Sequence, residues 1–268
     1  MSLSEQKLIQ ALQAECMQLK EENAYLRSLL KMDESAVILP KQPGAKSKNV
    51  KNSVNSINFS TNEKIRLFRK LFRGREDLYA IRWEGSGGRS GYSPVCANEW
   101  DRRVCRKPKI KCSECSYSQW LPITDQTIHD HLAGKLMIGV YPLLKDETCH
   151  FLAIDFDKTS WREDALSFLN TCQQFSISAL LERSQSGNGA HIWLFFAEAI
   201  SSRIARSLGT GLLTETMQAR HVLSLDSYDR LFPNQDTLPK GGFGNLIALP
   251  LQGERRKLGN SVFLNEQL

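Results

Sequence analysis

Hydrophobic positions recur with three different periods along this chain, and each period predicts a different kind of element. Between residues 3 and 31 the period is seven: Leu12, Leu19 and Leu26 share one seam position, and Ile9, Cys16, Asn23 and Leu30 share the other. Leu at one position with a single Asn at the other predicts a parallel two-stranded coiled coil over residues 1–32, and therefore a homodimer. The same stripe could instead pack on its own domain. Residues 33–59 show no period: Lys41, Lys46, Lys48 and Lys51 stand among Asn, Ser and Pro, which predicts a flexible linker.

From Ser60 the period shortens to that of an amphipathic helix, with Ile65, Phe68, Leu71 and Phe72 on one face. Ser60 and Glu63 have capping-box spacing, and Gly74 is expected to end the helix. Tyr79, Ile81 and Trp83 then alternate as in a strand, ahead of a glycine-serine loop over residues 85–91. Further on, residues 125–132 read as a short helix and 137–144 as a strand. Residues 149–157 read as a buried strand, and a second Ser/Glu pair, Ser160 and Glu163, caps a helix with an apolar stripe. Strands over 177–181 and 192–196 flank a small-residue turn. A helix runs from 201 to about 220, and a last strand over 245–251 follows the glycine-rich run 240–244. Strand, helix and hairpin in this order match half of a ferredoxin-like sheet, so the expected fold class is α/β of the α+β kind.

Composition narrows this little. The 268 residues are 24% charged and 41% hydrophobic, with a formal charge of +6 and a pI near 8.9. That balance fits a polyanionic partner without requiring one. No apolar run approaches the ~20 residues of a membrane span, and no signal-peptide pattern opens the chain. Seven cysteines, an odd number with four clustered, speak against a secreted disulfide framework, and the expected location is cytoplasmic.

The candidate chemistry begins at Asp155 and Asp157. The period of two puts both on one side of their strand with Cα atoms ~6.6 Å apart, close enough to share divalent cations, and hard oxygen ligands suit Mg²⁺ or Mn²⁺. Two acids at a strand end could also simply meet solvent. A two-metal site needs a third carboxylate. Asp226, Asp229 and Asp236 are available; Asp236, just before the Lys240 glycine loop and the last strand, fits best, with Asp229 as the fallback. His191 opens the strand after the turn, and a triphosphate-binding role is favoured over a general base. Arg183, Ser184 and Ser186, with the turn's backbone N–H groups, are further phosphate donors, and Lys240 is another nucleotide-binding candidate. Cys96, Cys105, Cys112 and Cys115 end in a Cys-x-x-Cys and could close a structural zinc site, or remain reduced thiols. Beside them Arg102, Arg103, Arg106, Lys107, Lys109 and Lys111 could contact a phosphate backbone or face solvent.

The runs Ala-Ile-Asp-Phe-Asp at 153–157, Glu-Arg-Ser-Gln-Ser-Gly-Asn-Gly-Ala-His at 182–191 and Phe-Pro-Asn-Gln-Asp-Thr-Leu-Pro-Lys-Gly-Gly-Phe-Gly-Asn-Leu-Ile-Ala-Leu-Pro at 232–250 resemble the three motifs of the archaeo-eukaryotic primase superfamily. Among its branches the primase-polymerase domain of TOTE conflict systems, often joined to helicase modules, is the most similar, over about residues 63–264. The resemblance implies an RRM-like catalytic core over 136–268, behind a subdomain over 60–135 with the cysteine site. It implies two-metal nucleotidyl transfer from a (d)NTP onto a DNA primer on its template, with Asp155, Asp157 and Asp236 as metal ligands, His191 on the incoming nucleotide and a helicase as fused module or partner. One position departs: the superfamily has a small hydroxyl residue two before the histidine, where this chain has Gly189. Three rival readings follow from the residues alone: a Mn²⁺-dependent nucleotide-sugar transferase, a zinc-bearing nucleic-acid-binding module without turnover, and a metal-dependent nuclease.

Overall fold

The strand ending in Asp155 and Asp157 is an interior strand of the larger of the two antiparallel sheets among the described residues. In the computed structural model, which describes residues 59–220 and 225–265, these residues form nine strands and five α-helices. The heptad segment and all of the linker but Phe59 lie outside the described residues. In chain order the elements are α1 (Thr61–Leu71), β1 (Ala80–Glu84), β2 (Ser90–Pro94), α2 (Asp125–Leu132), β3 (Ile138–Val140), β4 (Thr148–Asp157) and α3 (Trp161–Gln174). They continue with β5 (Leu180–Arg183), β6 (Gly189–Ser201), α4 (Ser202–Arg220), β7 (Tyr228–Phe232), β8 (Ile247–Ala248), α5 (Gly253–Lys257) and β9 (Val262–Leu264).

The larger sheet has the order β7-β4-β6-β5-β9. Its first four members follow one another as β-α-β-β-α-β, the split ferredoxin-like arrangement, so the half expected from sequence is completed by β7. Alternation along β4 sends Leu152, Ile154 and Phe156 against α3 and α4, where Trp161, Phe168, Ala205 and Leu212 close one core. Phe151 and Ala153 point the other way, into a second core with Phe68 of α1, Phe72 just after it, Trp193 of β6 and Ile138 and Val140 of β3. Phe72 meets Trp193 and Phe195 edge-on, at 5.0 and 5.4 Å between centroids. Asp155 and Asp157 share the Phe151 face and emerge where that second core ends.

The smaller sheet has the order β2-β1-β3-β8. It joins strands from both sides of the expected 135/136 boundary, because β3 pairs with β1 on one edge and β8 on the other. Several sequence expectations are corrected here. The strand expected over 137–144 shortens to Ile138–Val140, and the one over 245–251 to Ile247–Ala248, which joins the smaller sheet rather than the catalytic one. The strand expected over 177–181 starts only at Leu180, and the one over 192–196 extends to Gly189–Ser201. Strands β7 and β9 were not anticipated: Tyr228–Phe232 has two exposed charges in five residues, and Val262–Leu264 is too short for a period.

The helix at Ser60 has its full capping box, with Ser60 Oγ accepting from Glu63 N–H and Glu63 accepting from Ser60 N–H. It ends at Leu71 without a glycine cap. Gly74 does not take a left-handed conformation; a Cβ there would stand 2.6 Å from the Tyr141 carbonyl oxygen, so close packing requires the glycine. Ser160 is not a capping residue either. Its φ of −90° and ψ of 11° turn the hydroxyl away from the helix amides, and it donates to Asp164 Oδ2 at 3.2 Å.

Candidate active site

Two strands deliver the acidic cluster, and a third brings a histidine beside it. On β4, Asp155 lies opposite His191 of β6 on one side and Arg230 of β7 on the other, while Asp157 lies opposite Gly189. The register between β4 and β7 slips by one residue, from Asp155 opposite Arg230 to Phe156 opposite Tyr228. The residue left over in this bulge is Asp229, and the extra residue re-aims its side chain toward the β4 pair. Asp155, Asp157 and Asp229 each bring a carboxylate oxygen to within 4.8 Å of the others, the only such group of potential metal ligands among the described residues. The third acid at the pair is therefore Asp229. Asp236, preferred from sequence, is engaged elsewhere: its carboxylate pairs with Arg206 of α4 and its carbonyl accepts from Ser202 Oγ. Asp226 is exposed on the turn before β7.

The donor set fits hard divalent cations. Burial, together with Asp157 and Asp229, pushes the Asp155 carboxyl up to about 6, against the pull of His191 and Arg230. Like charges crowded at a half-buried strand end are the condition that a cation relieves. Arg230 Nε meets Asp229 Oδ2 at 2.6 Å and supplies part of the compensation in the protein itself.

His191 is held from behind. Its Nδ1 lies 3.0 Å from Glu182 Oε2, and its Nε2 faces Asp155 Oδ1 at 3.7 Å. Burial would lower the imidazole pKa, but Glu182, with Asp155 and Asp157 beyond, outweighs it and raises the value to about 9. In its charged form the ring gives Nδ1–H to Glu182 and directs Nε2–H at the acidic edge. Glu182 is 2% exposed and also accepts from Trp193 Nε1 at 2.8 Å and Ser261 Oγ at 3.4 Å. Sequence reasoning assigned Glu182 and Arg230 no role. The available signal for Glu182 was a carboxylate between Leu181 and Arg183 in a strand, directly across from His191 in the hairpin.

The turn between β5 and β6 is more self-contained than expected. Ser184 N–H donates to Gly189 O, Gly187 N–H to Ser184 O and Asn188 N–H to Ser186 Oγ, while the Ser184 and Ser186 hydroxyls meet at 3.0 Å. Arg183 Nη1 reaches Gly259 O at 3.4 Å, and its Nε is buried without a partner among the described residues. Gly189 stands against the cluster itself: a Cβ there would lie 2.3 Å from Asp157 Oδ1 and 2.7 Å from the Phe156 carbonyl oxygen. The hydroxyl side chain seen at this place in the resembling family has no room in this chain.

The remaining candidates gather elsewhere. Lys240 is exposed in a loop that runs beside the cysteine segment, where Phe243 packs edge-on against Trp120 at 5.1 Å. Cys96, Cys105, Cys112 and Cys115 line one small cavity of about 20 Å³. No three of their sulfurs come within 4.8 Å of one another, whereas tetrahedral zinc–thiolate bonds of 2.3 Å need sulfurs ~3.8 Å apart. Arg102, Arg106, Lys109 and Lys111 are exposed. Arg103 is exposed but doubly bonded to Asp101, and Lys107 is half-buried with its ammonium 2.7 Å from Glu99.

Residues 63–268 match the family model described as the TOTE conflict system, Archaeo-Eukaryotic Primase domain. Among solved structures, the polymerase domain from Mycobacterium tuberculosis ligase D in complex with DNA is similar at 14% identity and a TM-score of 0.39. That match covers 60% of this chain and 64% of the other, so the chain spans less than two thirds of that neighbour's length. No curated protein matches the chain. With the family model spanning about three quarters of its residues, the chain belongs to the archaeo-eukaryotic primase domain family of TOTE conflict systems.

Proposed function

We propose that this protein is a primase-polymerase that transfers nucleotides from a (d)NTP to the 3′-hydroxyl of a primer on a DNA template. The observation that carries the reading is the convergence of Asp155, Asp157 and Asp229 within 4.8 Å, beside the His191 ring held by Glu182. Magnesium or manganese bound at the three carboxylates would lower the pKa of the attacking hydroxyl and neutralise charge on the triphosphate. Asp155 and Asp157 supply oxygen ligands from β4, and Asp229 supplies the third from β7. His191 donates its Nε2 proton toward a phosphate oxygen, and Glu182 keeps the ring charged and oriented. Arg230 adds positive charge at the same edge. Phosphoryl transfer asks for little beyond such positioning and charge neutralisation.

Zinc at Cys96, Cys105, Cys112 and Cys115 is part of the proposal: it would draw the four sulfurs closer than they stand here and cross-link the loop carrying Arg102, Arg106, Lys109 and Lys111, which then follow a nucleic-acid backbone. Dimerisation through the heptads of residues 1–32, and a helicase as partner or neighbouring module, belong to the same proposal. The decisive experiment is extension of a labelled primer–template with all four dNTPs in Mg²⁺ or Mn²⁺, beside Asp155→Ala. Growth that needs metal and template and vanishes in the variant supports the reading. No growth in either metal from folded protein overturns it. Omitting the primer then tests de novo synthesis.

A further inference from the structure

The outer face of the β1–β2 hairpin carries two aromatic surfaces that the fold does not cover. Trp83 is 44% exposed and Trp100 67% exposed, and both line a groove of about 920 Å³ between the hairpin and the cysteine segment. In the β1–β2 register Ile81 and Trp83 stand opposite Ser93 and Gly91, so they share one face. Arg82 and Tyr92 occupy the opposite face, where Tyr92 Oη accepts from Gln185 of the β5–β6 turn. The groove is thus a different site from the carboxylate cluster.

Trp83 is held flat. A Cβ on Gly91 would stand 3.0 Å from its Cζ2 and 3.2 Å from its Cε2, and one on Gly85 would stand 3.5 Å from Cζ3. The two glycines let the indole lie down on the hairpin backbone, one ring face against the protein and the other open to the groove. Trp100 is exposed for a reason that burial does not supply. Its backbone sits at φ +64°, a region that bulky L-residues seldom adopt, and the strain gains no core contact in return. The ammonium of Lys107 lies 5.8 Å from its ring centroid. The groove's other charges are Arg89, Lys111 and Glu99, and Glu99 is already paired with Lys107, so the surface is net positive.

Flat indoles with one free face, set among cations, match the requirements of an unpaired nucleic-acid strand: bases stack on the rings and phosphates meet Arg89 and Lys111. A duplex keeps its base faces stacked internally and would offer these rings nothing. We propose that the groove binds single-stranded nucleic acid, with Trp83 and Trp100 as base-stacking platforms and no readout of sequence. This sharpens the nucleic-acid contact proposed above for the cysteine segment, and it does not depend on nucleotidyl transfer.

The test is fluorescence anisotropy of a labelled oligodeoxythymidylate of about 15 nucleotides, long enough to fill one such site. Trp83→Ala and Trp100→Ala should each weaken binding roughly tenfold, and Trp83→Phe should keep most of it. Arg89→Ala and Lys111→Ala should each flatten the slope of log K against log salt by about 0.7. Both indoles are exposed, so the alanine variants should melt with the parent, which the same samples can verify. Tryptophan variants that bind as tightly as the parent overturn the proposal. So does an intact protein with no saturable binding, which would leave the indoles to a protein partner. Tryptophan-dependent binding without primer extension would instead sink the transfer reading and leave this one standing.

Discussion

Gly189 has no side chain because Asp157 fills the space that one would need. A serine there would meet the Asp157 carboxylate and, less yieldingly, the Phe156 backbone oxygen at 2.7 Å. Gly189→Ser should therefore add no phosphate contact. It should instead part β4 from β6, lowering stability by about 1–3 kcal/mol and weakening Mn²⁺ binding. Thermal melting and calorimetric titration with Mn²⁺ measure both, and parent-like Mn²⁺ affinity would contradict the geometry. The two rival third acids separate in the primer-extension assay. Asp229→Asn removes a ligand oxygen and should abolish metal-dependent extension. Asp236→Asn loses only a partly exposed ion pair to Arg206, an effect of at most about 1 kcal/mol on folding, and should extend primers normally. The opposite pattern would restore Asp236 as the third acid. Asp155 and Asp157 were legible as a same-face pair from their spacing, with the motifs that follow needed to favour metal over solvent. Glu182 was not, because a glutamate in a strand reads as an exposed edge charge until its cross-strand partner is known.

At the scale of elements, periodicity located every helix longer than five residues among the described residues, since an apolar stripe is a local property. Caps were less reliable, because the same two residue types form a capping box only when the backbone allows it. Ser60 is extended, with φ −61° and ψ 161°, and caps; Ser160 is not, and its hydroxyl turns to Asp164. Ser60→Ala should then cost about 1 kcal/mol. Ser160→Ala should cost clearly less, because Asp164 keeps Ser227 Oγ at 2.6 Å and its ion pair with Arg220. Urea denaturation midpoints of the two variants decide this, and equal losses would refute the distinction. Strand β7 escaped detection for a related reason. Asp229 and Arg230 interrupt its alternation, and the bulge that makes this tolerable exists only in its pairing with β4.

At the scale of the whole molecule, α2 is tied to the smaller sheet through groups distant in sequence. His131, in the last turn of α2, is fully buried, with Nε2 2.9 Å from the Pro250 carbonyl and Nδ1 accepting from Ile138 N–H at 3.3 Å. Only the neutral Nε2–H tautomer satisfies both contacts. Burial lowers its pKa to about 4. Between there and the unfolded value of about 6.5 the unfolded chain binds more protons, so stability is complete above that range and falls as pH drops through it. The loss should approach about 3 kcal/mol near pH 4 and should largely disappear in His131→Gln. Denaturation midpoints of parent and variant between these pH values are the measurement, and parallel pH profiles would exclude His131 as the cause.

By itself the sequence determined the paired aspartates, the helices, the α+β class and the family, because each rests on residues close together in the chain or on a run of recognisable motifs. Tertiary structure alone decided which acid completes the cluster, what holds His191, why position 189 must be glycine and where the last apolar run goes. Each of those depends on strand register, which is set by burial of both sheet faces across separations that local pattern does not encode. A one-residue slip in the pairing of β7 is enough to make Asp229, rather than Asp236, the partner of Asp155 and Asp157.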